Sequence, residues 1–459
     1  MSNDITGQSV LFPELFNRPL VAQFDQANGS SDGGAILLKA CDERLGLTQA
    51  ISDCMREWRQ PGKVEHELEA LFRQRVFGIA CGYVDCNDAA RLAQDPIQKL
   101  LVGRDAVGDD SLASQPTLSR FENAVSRKEL YRMSAALADT VIERHRQRLG
   151  KRVKRITIDL DPTDDPTHGG QQLTFFNAYY DTWCYLPTAG FVSFNKEPDQ
   201  YLFCYVLRPG NATAGVGAVA ILKRTVERLR AAFPKVKIRV RLDGGFAFPE
   251  MFTFLEAARI EYVISMAKNS VLKAFAEPLM KQARRLSRAS KQTEHVYGEC
   301  LYSAGKWKNR HRRVIIKAEV VRAPERDPKD NPRFVVTNLR TAPRKLYERI
   351  YCARGEIENR IKELHHGLEI DRTSCTDFWP NQLRCLMTAA AYVIFQELRL
   401  VAPDACKRAQ VGTLRERFIK LGVWVQESVR RIVLHFPETF PFSEEWRQIA
   451  GRLGAYNTG

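Results

Sequence analysis

At 459 residues the chain is too long for one ordinary core, so roughly two to four domains are expected. Hydrophobic residues at 44% and charged residues at 27% exclude wholesale disorder. Lys and Arg number 69 against 54 Asp and Glu; the net charge of +15 suits a polyanionic partner through counterion release, with plain solubility as the alternative.

The opening stretch, MSNDITGQSVLFPELF, has neither the basic start nor the apolar core of a secretory leader. Residues 1–150 read as a helical domain. Apolar positions recur at helical spacing through ELEALFRQRVFGIACGYV, and further helices are expected at 88–101 and 127–148. Between them, Ser114 is placed to cap a helix whose first turn holds Pro116. Such a helix would present Thr117, Ser119 and Arg120 to base edges, like the reading helix of a helix-turn-helix. A plain surface helix is the competing reading.

From about 151 the periodicity changes. VKRITIDLD (153–161) alternates, and QLTFFNAYY, CYLPTAGFVSF and QYLFCYVLRPGN follow as short strands separated by turns. A helix at about 216–233, a strand at 235–243, a helix at 249–259, a strand at 261–269 and a helix at 270–288 come next. This order is that of a ribonuclease H-like α/β sheet. Residues 293–340 read as an inserted antiparallel sheet, and a helix from about 344 to 367 closes an α/β domain spanning 151–375 with a β-rich insertion at about 290–340. A helical, basic region is expected over 376–459, including TLRERFIKLGVWVQESVRR. The expected architecture is therefore multidomain α/β, with helical domains on both sides of the core. The longest apolar run, 386–395, is too short to cross a bilayer. Eleven cysteines, scattered from Cys41 to Cys406 without a CxxC pair, exclude a disulfide framework or zinc ribbon and suit a reducing compartment. Cys81 and Cys86, the closest pair, read as ordinary half-buried thiols.

Three acids stand out. In the strand 153–161, Ile156, Ile158 and Leu160 point one way, while Thr157, Asp159 and Asp161 point the other, followed by Thr163. Two carboxylates on one face of a strand end repel each other, and a hard metal ion is the usual solution. A solvated strand end is the bland alternative. In KVKIRVRLDGG, Lys235, Lys237, Arg239, Arg241 and Asp243 share a face, and Gly244 and Gly245 release the chain without side chains. Ligands of open α/β sheets bind outside the carboxyl ends of strands, where Asp161 and Asp243 would both sit. The basic face of this strand must be exposed, covered by polar groups or turned to DNA. In the helix YCARGEIENRIKELHHGL, 351–368, Ile357, Ile361, Leu364 and Leu368 continue a buried stripe from Ile350. Beside it Tyr351, Arg354, Glu358, Lys362 and His365 stack along one face. Glu358 is either a metal ligand flanked by phosphate-gripping cations or the middle of an i, i±4 ion-pair ladder.

LDPTDDPTHGG with FFNAYYDTWCYLP, RLDGGFAFPEMFTFLEAARIEYVISMAKN, and YCARGEIENRIKELHHGLEIDRTSCTDFWPNQLR resemble three blocks of the insertion-sequence DDE transposases. They are, in order, the first-Asp, second-Asp and Glu blocks of the family called transposase DDE group 1, and the resemblance runs over roughly residues 20–440. It implies that Asp161, Asp243 and Glu358 are the catalytic, metal-holding acids, with Asp161 preferred to Asp159 because Thr163 follows two residues later. The family's motif of Tyr, Arg, Glu and Lys is matched by Tyr351, Arg354 and Glu358 but departs at His365. A phosphate contact there would be pH-dependent unless Lys362 substitutes. In some related enzymes a Trp of the insertion stacks on a base drawn from the DNA end; Trp307 is the candidate, with a packing Trp as the alternative. The resemblance further implies two Mg²⁺ ions, with Mn²⁺ as substitute, and phosphoryl transfer on double-stranded DNA. Element ends in terminal inverted repeats would be cut and joined to target DNA by a homodimer or larger assembly. The setting would be a bacterial-type cytoplasm at the nucleoid, with no membrane. A non-mobile nuclease on the same fold and a catalytically dead DNA-binding descendant are the alternatives.

Overall fold

The computed structural model describes residues 9–456 apart from 12, 13, 16, 109 and 308. Residues 1–8, part of the stretch without a leader pattern, lie outside the described residues. Among the described residues no helix is long and apolar enough to cross a membrane. The cysteines are all free thiols, with Cys81 buried and Cys86 half-buried.

The molecule is mixed α/β, organised on a nine-stranded sheet. Eight of its strands matter here: β1 (Arg155–Pro162), β2 (Thr188–Phe194), β3 (Tyr201–Val206), β4 (Lys237–Leu242), β5 (Glu261–Met266), β6 (Glu294–Tyr302), β7 (Arg312–Val321) and β8 (Arg333–Thr337). Their spatial order is β6-β7-β8-β5-β4-β1-β2-β3, with Lys329–Asp330 paired to β7. β4 lies parallel to β1 and to β5, whereas β2 runs antiparallel to β1 and β3 antiparallel to β2. Ile156, Ile158, Leu160, Val240 and Leu242 are fully buried, as a strand in the middle of a covered sheet requires. The helices used below are α1 (Leu68–Cys81), α2 (Gln115–Asn123), α3 (Arg127–Leu149), α4 (Ala218–Ala232), α5 (Pro249–Ala257), α6 (Ser270–Ser290), α7 (Glu356–Leu368) and α8 (Phe378–Val401). α3 opens on a capping box in which Ser126 and Glu129 satisfy each other's backbone N–H groups.

Four expectations change. The β-rich stretch 293–340 is not a separate sheet: β8 pairs antiparallel with β5, so β6, β7 and β8 extend the main sheet at one edge. The helix expected over 344–367 is broken into a short α-turn at Pro343–Lys345, a π-helical stretch Leu346–Tyr351, a 3₁₀ turn Cys352–Gly355 and α7. Tyr351 therefore leaves the face that carries Glu358. The C-terminal stretch expected to be helical holds a hairpin, Val423–Ser428 with Arg431–His435. Its signal is a period of two, with Val423 and Val425 buried and Trp424 and Gln426 exposed. Ser114 precedes α2 as expected but makes no cap bond with its side chain, which contacts Thr117 Oγ1 at 3.2 Å instead.

α8 runs through the interior, and all its residues except Trp379 and Leu400 are buried. It is tied to the sheet by polar side chains: Gln396 accepts from the Leu202 N–H at 3.1 Å and Gln382 from the Leu207 N–H at 2.7 Å. Glu397 takes both ends of the Arg144 guanidinium of α3 at 2.7 Å. The strand Val423–Ser428 also pairs with Gly29–Ser30, joining the two ends of the described chain.

Candidate active site

β1 and β4 are neighbours in parallel register, with Arg241 opposite Asp159. Two residues further along each strand, Asp161 and Asp243 stand side by side at the carboxyl edge of the sheet. Asp243 begins the Gly244–Phe246 turn and accepts a hydrogen bond from the Gly245 N–H at 2.9 Å, which fixes its carboxyl over the strand end. Glu358 lies in the first turn of α7 with its side chain exposed.

The charges identify what is shared. Burial pushes the Asp161 carboxyl up to about 7, and the negative charges of Asp243, Glu358 and Asp159 add to the push; Arg354 opposes it. Three carboxylates far apart in sequence thus act on one position. Arg354 donates to Asp161 Oδ1 at 2.5 Å, and its own Nε is buried without a partner. The i, i±4 ladder of Arg354, Glu358 and Lys362 is not formed: Arg354 turns to β1, and Lys362 is exposed one turn beyond Glu358.

Asp159 differs from Asp161. It is wholly buried, takes both ends of the Arg241 guanidinium at 2.8 and 2.6 Å, and accepts from Gln200 Nε2 at 3.0 Å. Arg239 pairs with Glu261 at 2.7 Å. Arg239 and Arg241 are therefore covered by carboxylates of the neighbouring strands, while Lys235, just before the strand, and Lys237 at its start stay exposed.

His365 bridges α7 to the strand end, with Nδ1 at 3.0 Å from Asp371 and Nε2 at 3.3 Å from Thr163 Oγ1. Burial alone would raise the Asp371 carboxyl, but the hydrogen bond from His365 holds it below the usual range. Tyr351 is half-buried against Tyr347, ring centroids 5.4 Å apart. Thr117 and Arg120 lie on α2, within the helical residues before the sheet. Trp307 is 5% exposed, packed against Phe252 at 5.2 Å, Tyr302 at 5.5 Å and the Arg312 guanidinium at 4.9 Å. Its ring is enclosed by these side chains, the environment of a packing Trp.

Tyr180 was not singled out from the sequence. Burial pushes its phenol up to about 12, with contributions from the charges of Asp164, Asp161 and Asp243, which places it beside the acids. Its signal is weak: one Tyr of a Tyr-Tyr pair in the turn before Thr182–Tyr185. Arg208, whose guanidinium burial lowers to about 10, lies within its field.

Asp161, Asp243 and Glu358 offer only hard oxygen donors, the chemistry that a hard divalent cation takes. Among the described residues no group of three His, Cys, Asp or Glu side chains is gathered tightly enough to enclose an ion, and one oxygen of Asp161 is taken by Arg354.

No curated protein matches the chain. Among solved structures it is similar to a piggyBac transposase synaptic complex with hairpin DNA, seen by cryo-electron microscopy, at 10% identity and a TM-score of 0.37, over 94% of this chain and 84% of that one. The family described as transposase DDE domain group 1 matches residues 12–458. The chain belongs to the transposase DDE domain group 1 family.

Proposed function

We propose that this transposase cuts insertion-element DNA ends and joins them to target DNA at the carboxyl edge of its sheet, using Asp161, Asp243 and Glu358. The observation that carries this reading is geometric: Asp161 and Asp243 come at the same ends of the neighbouring parallel strands β1 and β4, and Arg354, one turn before Glu358, donates to Asp161 Oδ1 at 2.5 Å. The order β3-β2-β1-β4-β5, antiparallel on one side of β1 and parallel on the other, supports a ribonuclease H-like core within 151–375. Residues 1–150 and 376–459 would then flank it, giving DNA contacts and contacts between copies.

The oxygen-only donor set suits Mg²⁺, with Mn²⁺ as substitute. Bound there, such a cation acidifies the attacking hydroxyl and offsets charge on the phosphate and the leaving oxygen. The chain's own residues do the rest. Asp161 and Asp243 would act from the ends of adjacent strands, with Glu358 reaching them from the first turn of α7. Arg354, now on Asp161, is the donor that can pass to a DNA phosphate, and Lys362 adds a second cation. Asp159 stays out of the donor set because Arg241 and Gln200 occupy it. His365 holds α7 to the loop after β1 through Thr163. Transfer is direct, without a Ser or Tyr nucleophile: water hydrolyses the phosphodiester at the element end, and the 3′-hydroxyl so freed attacks a target phosphodiester, breaking that bond and releasing the target strand's own 3′-hydroxyl. The partners are double-stranded DNA and a second copy of the chain, and the setting is the cytoplasm at the nucleoid.

The test is Asp243→Asn with labelled element ends. Gel-shift binding should persist while cleavage in Mg²⁺ or Mn²⁺ disappears. Undiminished cleavage would remove these acids from the mechanism.

A further inference from the structure

A second feature lies away from the acids, on none of the elements that carry them. Between the irregular segment 56–67 and α2 is a cleft of about 510 Å³, a size typical of pockets for small organic groups. Leu71 of α1 and Phe121 of α2, both buried, and the half-buried Leu68 of α1 are the apolar floor of the cleft. Trp58 lines it while 57% exposed and, unlike Trp307, has no aromatic or cationic partner among the described residues. Two more lining residues, Lys63 and Arg120, are exposed and form no ion pair among the described residues. Arg59 is different, being held by Glu57 at 2.6 Å. Thr117 also lines the cleft. α2 therefore contributes one wall of a concave site.

An open indole beside an apolar floor, with the cations Lys63 and Arg120 outnumbering the one lining acid, Glu65, matches a flat aromatic base carrying a phosphate. We propose that this cleft binds a single unstacked nucleotide of a DNA strand, the base on Trp58 and the phosphate on Lys63 and Arg120. A duplex cannot fill it, because paired bases stack on each other and offer no free face, whereas an unpaired base stacks on any exposed aromatic ring. The site shares the DNA partner of the reading above and none of its acids. The Asp243→Asn cleavage result and the binding result below therefore fail separately.

The full chain is titrated with a fluorescein-labelled oligothymidylate of about 10 nucleotides, with a blunt duplex of the same label, and with thymidine monophosphate. Trp58→Ala should weaken oligothymidylate binding about tenfold and leave duplex binding unchanged, while Trp58→Phe, which keeps a ring, should stay within about threefold of wild type. Lys63→Ala with Arg120→Ala should weaken the same binding and lower its logarithmic salt slope by about 1.4, the loss of two single-strand phosphate contacts. Unchanged oligothymidylate binding in Trp58→Ala, or equal weakening for the duplex, overturns the proposal. So does tight thymidine monophosphate binding without oligothymidylate binding, which assigns the cleft to a free nucleotide.

Discussion

Asp159 and Asp161 are separated by one residue on β1, and Glu358 and Glu363 lie on the same helix, yet within each pair the surroundings are opposite. Asp159 is saturated by Arg241 and Gln200. Glu363, 3% exposed, accepts from Tyr392 at 2.8 Å, from the Val411 N–H at 2.8 Å, from Arg360 at 3.1 Å and from Arg399. Asp161 has one cation against three neighbouring carboxylates, and Glu358 is exposed without an ion pair among the described residues. Buried acids that hold a fold together are fully hydrogen-bonded, since an unpaired buried charge costs several kcal/mol. Acids left short of positive charge at a sheet edge are kept for another ligand. Interior saturation and edge deficit are thus two different uses of the same side chain.

The largest effect expected from breaking this contrast is on chemistry. Glu358→Ala and Asp161→Asn should each lower DNA cleavage by about 10⁴-fold or more, the scale seen when one member of a catalytic unit is lost. Folding stability should stay within about 0.5 kcal/mol for the exposed Glu358 variant. Asp161→Asn removes a charge that its surroundings disfavour, so its thermal midpoint should hold or rise. A midpoint drop in both, with cleavage retained, would turn these acids into structural ones.

Next in size is the interior. Glu363→Ala leaves Arg399, Arg360 and Tyr392 facing an empty site and should cost about 3–5 kcal/mol in urea unfolding, as removal of one partner from a buried ion pair does. Asp159→Ala should behave alike, stranding Arg241. A loss below about 1 kcal/mol in either variant would mean that saturation says nothing about role.

How far the sequence foretold this contrast follows from what each residue's neighbours are. The alternation in 153–161 and 235–243 placed β1 and β4, because one period of two decides which side chains are buried. Asp161 and Asp243 at the ends of those strands were visible for the same reason. That Asp159 is consumed by Arg241 was not, since it depends on the parallel register of two strands about 80 residues apart. Of the three fates open to the cations on β4, Arg239 and Arg241 meet cover by Glu261 and Asp159, which only the pairing of neighbouring strands supplies, while Lys237 stays exposed. β8 joins β5 through a long-range pairing that no local pattern encodes. The break before α7 frees Arg354 from the Glu358 face, and neither Cys352 nor Ala353 signals a π-to-3₁₀ change.

The smallest expected effect sharpens the interior side of the contrast. His145 on α3 is 2% exposed, lies against Tyr201 and Phe194 with ring centroids 3.9 and 4.6 Å away, and accepts at Nδ1 from Arg148 Nε at 3.1 Å. Burial, helped by the Arg148 and Arg144 cations, lowers its pKa to about 2, so the folded protein keeps it neutral. The unfolded chain takes up that proton near pH 6.5. The stability this residue contributes is therefore whole above about pH 6.5 and is lost as pH falls, by about 1.4 kcal/mol for each unit. His145→Gln cannot titrate, and whatever its packing costs, that cost does not vary with pH. Between pH 7 and 5 the wild-type unfolding free energy should fall by about 2 kcal/mol more than the variant's, the carboxylates being common to both. Parallel curves would show that His145 reaches solvent or a counter-charge, and that the interior around α3 is not the saturated region Asp159 and Glu363 make it elsewhere.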